Sequence, residues 1–229
     1  MADGISDERL RIVPANEASW DDLRAVFGDR DYAARCLCQR LKVAGWIWRD
    51  STYEQRVELL REQTGCDDAG ARSTSGLVAY VDSVISSDPQ AIASDSVISS
   101  DPQAIARGEP AGWVAVEPRT AYPKLRTTRI PWSGRAEDKD DTGVWAVTCL
   151  IVRRGFRGRG LTYALAAAAV GYAREHGAKA LEAYPMITEP GKEITWGELN
   201  VGARQVFDAA GFTEVSHPTK RRVVMRVDF

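Results

Sequence analysis

Apolar and polar positions follow two periods along this chain, and the switches between them lay out the elements. Arg9–Val13 alternates as a short strand. Ser19 stands as an N-cap before a helix over Trp20–Phe27, with Asp21 and Asp22 well placed in its first turn. Cys36–Trp48 mixes basic residues with Trp46 and Trp48 and shows no clear period. Thr52–Gln63 reads as an amphipathic helix, with Tyr53, Val57, Leu59 and Leu60 on its apolar side and Thr64–Gly70 ending it. Gly76–Val81 and Gly112–Val116 read as strands. Val144–Val152 is strongly β-branched and predicts a central strand. Leu161–His176 is an alanine-rich helix stopped at Gly177, and Ala180–Tyr184 is the next strand. That order, strand then helix then strand, implies a parallel crossover. Asn200 is placed to cap a helix over Val201–Ala210 that stops at Gly211. Thr213–Ser216 and Arg222–Val227 close the chain as strands, with Val223, Met225 and Val227 alternating.

The connections carry two oddities. Asp82–Ala93 recurs without change as Asp95–Ala106. Two twelve-residue copies are too short and too few for a solenoid; a tandem duplication that lengthens a surface loop is the expectation. Thr120–Thr142 and Pro185–Leu199 read as long loops, and the first ends in the acidic run Glu137–Asp141.

Composition narrows the class. The chain has 229 residues, 44% hydrophobic and 27% charged, which suits one domain over 1–229 with a sizeable core. The net charge of -2 does not favour nucleic acid or an anionic membrane, so any anion binding must be local. The start has no basic segment followed by an apolar one, and no apolar run reaches the ~20 residues of a membrane span. A cytoplasmic protein with reduced thiols is expected. Cys36, Cys38 and Cys66 offer three thiolates without an evident fourth ligand, so buried small side chains are expected and no metal.

The chemistry concentrates after the Val144–Val152 strand. Arg153, Arg154, Arg157 and Arg159 surround a turn at Gly158 and Gly160 that opens the alanine helix. Free amides at a helix N-terminus, with the helix dipole, make a phosphate cradle. The spacing is not that of a Walker loop or of a complete dinucleotide fingerprint. An Arg-Gly-rich RNA-binding segment is the other reading, but such segments are disordered, and this one sits tightly between an apolar strand and a helix.

At these residues the chain resembles the GNAT acetyltransferase superfamily. Val152 ends the strand, and Arg157-Gly158-Arg159-Gly160-Leu161-Thr162 matches the family's [Arg/Gln]-x-x-Gly-x-[Gly/Ala] turn, with Thr162 where Gly or Ala is usual. Downstream, Asn200, Ala203, Gly211 and Phe212 match Asn-x-x-Ala-x-x-x-Tyr-x-x-x-Gly-Phe, with Phe207 at the tyrosine position. The resemblance implies an α/β fold with a mixed, mostly antiparallel twisted sheet and helices on both faces. It implies acetyl-CoA as cofactor. The backbone of Leu150, Ile151 and Val152 would pair with the pantetheine arm, Arg157 to Thr162 would hold the pyrophosphate, and Asn200 would bond the pantetheine, near Phe207. It implies acetyl transfer to a primary amine of a small molecule or protein. No nucleic-acid or membrane partner is implied, and a homodimer is left open. The tyrosine that often protonates the leaving thiolate is absent at Phe207, so a coenzyme A-binding regulator without turnover is the alternative.

Amine attack needs a base, because an amine near pKa ~10 is mostly protonated at neutral pH. Glu182 is the first candidate, in the Ala180–Tyr184 strand, with Tyr184 as a substitute donor if both look into the cleft. A partnered structural carboxylate is the competing reading of Glu182. Glu117, Glu193 and Glu198 are reserves, and His176 and His217 read as surface or capping groups. Trp46, Trp48, Tyr122, Trp132 and Trp196 are candidate walls of an acceptor pocket, and the acidic stretches at 137–141 and 189–198 would suit a cationic acceptor.

Overall fold

The computed structural model describes residues 10–29, 32–82, 108–189, 191 and 194–229. The duplicated segment falls outside the described residues from position 83 to 107. Strands β1 (Leu10–Pro14), β2 (Gly76–Val81), β3 (Glu109–Pro118), β4 (Val144–Val152), β5 (Ala180–Ala183), β6 (Thr213–Thr219) and β7 (Arg222–Asp228) form one sheet in the order β1-β2-β3-β4-β5-β7-β6. β4 and β5 pair parallel, and the other neighbours pair antiparallel. This is the expected mixed, mostly antiparallel sheet.

Local signals explain most of the helices. Ser19 Oγ accepts from Asp22 N–H and caps α1 (Trp20–Phe27). Thr52 and Gln55 form a reciprocal capping box on α4 (Tyr53–Thr64), and Gly65, with φ +61°, ends it. The stretch that lacked a period resolves into α2 (Tyr32–Cys36), a series of turns, and α3 (Gly45–Asp50). Pro123 opens α5 (Pro123–Thr127) within the connection read as a loop. α6 (Leu161–Glu175) is the crossover helix between β4 and β5.

One expectation is corrected. Asn200 does not cap the last helix: it ends α7 (Trp196–Leu199), which begins with its own Thr195–Glu198 capping box. The last helix, α8 (Arg204–Ala209), starts after Ala203. The intervening residues turn instead: Asn200 is helical, Gly202 has φ +82°, and only Ala203 is extended, where it bridges Met186.

Both sheet faces are covered. Leu161, Leu165, Ala166, Ala169 and Ala173 of α6, with Val206 and Phe207 of α8, pack on one face against Val114, Val147, Leu150 and Met225. The alanines let α6 lie close to the sheet. On the other face Leu23, Val26 and Phe27 of α1 and Leu60 of α4 pack against Val78, Trp113, Cys149 and Ile151. A smaller cluster of Tyr122, Leu125, Ala146, Tyr184 and Val224 continues that face toward β7.

Candidate functional site

The sheet splits at a bulge. Ala115 pairs with Cys149 and Val116 with Val147, so Thr148 is an extra residue on β4. The β4–β5 ladder runs from Val144/Ala180 to Val147/Ala183. Beyond Thr148 the two strands diverge, and the gap opens a cleft of about 360 Å³.

The cleft follows the predicted cofactor residues closely. Leu150, Ile151, Val152, Arg157, Gly158, Gly160, Leu161, Thr162 and Asn200 all line it. Gly158 and Gly160 have φ of +78° and +83°, and a Cβ on either would meet nothing within 4 Å. The turn therefore takes a left-handed backbone that suits glycine and faces open space. Gly160 stands at the N-terminus of α6 with no side-chain cap on the helix. These amides are the groups that a phosphate accepts from. Arg157 Nε donates to Val152 C=O at 3.1 Å, which ties the turn back to the strand.

Two predicted cofactor residues stand elsewhere. Arg159 lies outside the cleft lining, with its guanidinium 5.5 Å from the Phe156 ring centroid. Phe207 is fully buried behind the cleft wall, edge-on to Phe212 at 5.2 Å. A tyrosine there would put its hydroxyl in the core, so the motif's tyrosine position does not face the cleft in this chain.

The backbone of β4 is also less open than expected. The Leu150 N–H donates to Asn200 C=O at 2.6 Å. On its other side the same segment bonds Met186: Met186 N–H donates to Gly202 C=O at 2.9 Å, and Arg204 N–H to Met186 C=O at 2.8 Å. Residues 200–204 thus bridge the split just past the bulge as a hydrogen-bonded turn.

Glu182 and Tyr184 do not look into the cleft. Glu182 is fully buried, and Arg135, Arg119 (3.2 Å) and Arg226 (3.0 Å) converge on its carboxylate. Tyr184 donates to its Oε2 at 3.0 Å. Glu137 joins the same arginines, at 2.5 Å from Arg135, 3.7 Å from Arg119 and 3.1 Å from Arg226. Burial alone would raise the Glu182 carboxyl, but the Arg135 hydrogen bond and charge, then Arg119 and Tyr184, outweigh it and hold it low. Burial, with Glu182 beside it, drives the Tyr184 phenol well above its ordinary range. This five-group ionic knot ties the 119–137 connection to β5 and β7. It has the competing character foreseen for Glu182, a partnered carboxylate.

The other acidic expectations resolve in a similar way. Asp140 pairs with Arg126 at 2.8 Å, and Asp141 accepts from Gly143 N–H at 2.8 Å. Glu198 caps α7 and faces Arg221 at 3.5 Å. Glu193 and the Trp196 side chain lie outside the described residues. The aromatic candidates do not gather into one wall. Trp46 is exposed on α3, Trp48 lies under Arg56, and Trp132 is clasped by Arg119 and Lys139.

Glu117 is placed differently. At the end of β3 it contacts the buried Lys42 ammonium, and Lys42 also lies 5.2 Å from the Tyr122 ring centroid. Burial raises its carboxyl despite Lys42. Tyr122, buried beside Glu117 and Thr148, is pushed well above the ordinary phenol range by the same desolvation. This cluster sits beside the Thr148 bulge, outside the cleft lining. Sequence reasoning missed Tyr32, Phe156, Tyr163 and Gln205 as cleft residues. Tyr32 comes from α2, far from either motif in sequence, and no local pattern marks it.

The fold is a mixed α/β architecture whose sheet splits between β4 and β5. Residues 83–189 match the acetyltransferase (GNAT) family, a span that contains β3, β4, the glycine turn, α6 and β5. No curated protein matches the sequence significantly. Among solved structures it is similar to a GCN5-related N-acetyltransferase from Kribbella flavida, at 18% identity over 98% of this chain and 100% of that one, TM-score 0.49. It is also similar to yncA from Salmonella typhimurium, solved with its cofactor acetyl-CoA, at 13% identity over 96% and 94%, TM-score 0.47. A GNAT-family acetyltransferase from Bacillus anthracis shares 10% identity over 98% and 97%, TM-score 0.46. Among the described residues no helix is long and apolar enough to cross a membrane.

Proposed function

We propose that this chain transfers an acetyl group from acetyl-CoA to a primary amine. The observation that carries this reading is the continuity of one cleft, from the glycine turn at the α6 N-terminus along Val152 to Leu150, two residues past the bulge. At ~3.3 Å per residue, Val152 to Thr148 spans ~13 Å of strand, room for an extended arm between an anion cradle and a reaction centre.

The residues fit the cofactor. The amides of residues 158–162 and Arg157 would hold the pyrophosphate, and the peptide groups of Leu150 and Val152 would hold the pantetheine, with Asn200 opposite. Leu150 and Val152 share strand parity, so both direct their peptide groups away from β3. When bound, acetyl-CoA supplies an activated thioester. The protein has to orient the amine, hold its departing proton and direct N–H donors at the developing oxyanion. The Leu150 N–H is such a donor once Asn200 releases it. With Glu182 held by arginines, Glu117 is the carboxylate left for the proton. It lies near the bulge, is half-buried, and binds a primary ammonium already, that of Lys42.

A second reading, a coenzyme A-binding regulator without turnover, is favoured by the Leu150–Asn200 bond and by Phe207. Two measurements separate them. Saturating acetyl-CoA should raise the melting temperature under either reading. Thiol release across a panel of amines should then occur only for the enzyme. No melting shift would overturn both.

A further inference from the structure

Cys36, Cys38 and Cys149 meet where the end of α2 lies against β4. The Cys38 and Cys149 thiols are hydrogen-bond partners, although they come from distant parts of the chain. Trp113 Nε1–H donates to Cys38 Sγ at 3.3 Å and holds that sulfur against the sheet. Cys149 pairs with Ala115, between the Thr148 bulge and Leu150. The turn that carries Cys38 is strained. Leu37 and Cys38 have φ of +47° and +56°, a left-handed backbone that side chains adopt at a cost. Leu37 and Gln39, both fully buried, keep it so: Gln39 Nε2 donates to Leu37 C=O at 3.1 Å and to Gln63 Oε1 at 2.8 Å. Backbone strain of this kind collects at functional positions.

The thiols differ in access. Cys38 is half-buried, whereas Cys36 and Cys149 are buried. The Cys38 contact, then burial, pushes Cys149 well above the ordinary thiol range. Burial, then Cys38, raises Cys36, which also bonds the Tyr32 hydroxyl. Cys66 stands apart, pushed up to about 11 by burial, with Thr64, Asp67 and Asp22 as neighbours. Cys38 is therefore the thiol an oxidant reaches first, and Cys149 the one that follows.

We infer that Cys38 and Cys149 are a redox-active pair, which hydrogen peroxide converts to a disulfide between the turn after α2 and β4. The Cys38 sulfur attacks one peroxide oxygen. An S–O bond forms, the O–O bond breaks, and water leaves, so Cys38 becomes a sulfenic acid. The Cys149 sulfur then attacks the Cys38 sulfur. The S–S bond forms, the S–O bond breaks, and the oxygen departs as a second water with the Cys149 proton. Two thiols are oxidised and one peroxide is reduced. The bond joins the helix that lends Tyr32 and Ala33 to the cleft with the strand that lends it Leu150 and Ile151. Oxidation thus ties one wall of the cleft to another. This chemistry is independent of acetyl transfer.

The test treats the folded, reduced chain with a small excess of hydrogen peroxide. Thiol titration should show two of the four thiols lost, and dithiothreitol should restore them. Tryptic mapping without reductant should recover residues 36–40 linked to residues 140–153. Cys36 shares the first peptide, so variants assign the bond. Cys36→Ala should keep the link, and Cys38→Ala should lose it. Cys149→Ala should also lose it and leave a sulfenic acid on Cys38 that dimedone traps, which shows that the variant still presents a reactive Cys38. A link through Cys36 or Cys66 in the wild-type chain, a sulfenic acid that persists on Cys38 with Cys149 present, or survival of all four thiols would overturn the inference.

Discussion

The Leu150 N–H is held by the Asn200 carbonyl at 2.6 Å, across the gap where β4 and β5 part. A peptide group that the cofactor reading needs is thus satisfied from within the chain. A buried N–H left unpaired would be costly, so the contact stabilises the unliganded cleft and must be exchanged when an arm enters. Acetyl-CoA should therefore shift the Leu150 and Gly202 amide resonances by more than those of β1 or β2. Equal or absent shifts at Leu150 would show that the arm does not reach this strand.

Gly202 controls that bridge. Its φ is +82°, and a Cβ would lie 2.5 Å from Phe207 Cε2 and 2.9 Å from Leu150 Cδ1. Gly202→Ala combines a left-handed backbone with overpacking, and should cost about 2–4 kcal/mol. Chemical denaturation measures it.

The glycine turn answers a different question. Gly158 and Gly160 are strained for other residues but clash with nothing. Gly160→Val should weaken acetyl-CoA binding about tenfold or more by displacing the amides, with calorimetry as the readout. Its effect on melting of the ligand-free chain should be small beside that of Gly202→Ala.

Glu182 should matter for stability. Glu182→Gln leaves Arg119 and Arg135 buried without their central carboxylate, a loss of about 3–5 kcal/mol. The pH dependence has a definite sign. The folded carboxyl is held low, so its contribution is complete above the ~4.3 of an unfolded glutamate and disappears as pH falls through the folded value. The melting gap between wild type and Glu182→Gln should therefore be wide at neutral pH and close in acid. A Glu182→Gln chain that melts like wild type yet loses kcat would restore Glu182 to catalysis.

Glu117 should matter for turnover. Glu117→Gln should lower kcat/KM about 10²–10⁴-fold if it is the base, with acetyl-CoA affinity retained. Because burial raises this carboxyl, the acidic limb of the wild-type kcat/KM profile should lie above the ordinary ~4.3 of glutamate. An acidic limb that stays in place in Glu117→Gln would assign the base elsewhere.

The sequence by itself determined the elements whose cause is local. Ser19 and Thr52 cap their helices by side-chain bonds a few residues away, and Gly65 and Gly177 stop theirs. The β-branched run at Val144–Val152 and the alanine run after Gly160 needed nothing distant to declare strand, turn and helix. The glycine-turn end of the cleft was legible for that reason. Only the tertiary structure decided the rest. Glu182 and Glu117 look alike on alternating strands, yet three arginines from separate elements surround the first and one lysine meets the second. Asn200 looked like a helix cap until Leu150 and Met186 claimed its segment as a bridge. Tyr32 became a cleft residue because α2 packs against α7, where Gly197 lies against its ring. Caps, turns and periodicity act within a few residues, whereas the partner of a buried charge is chosen by which chain segments the folded core brings together.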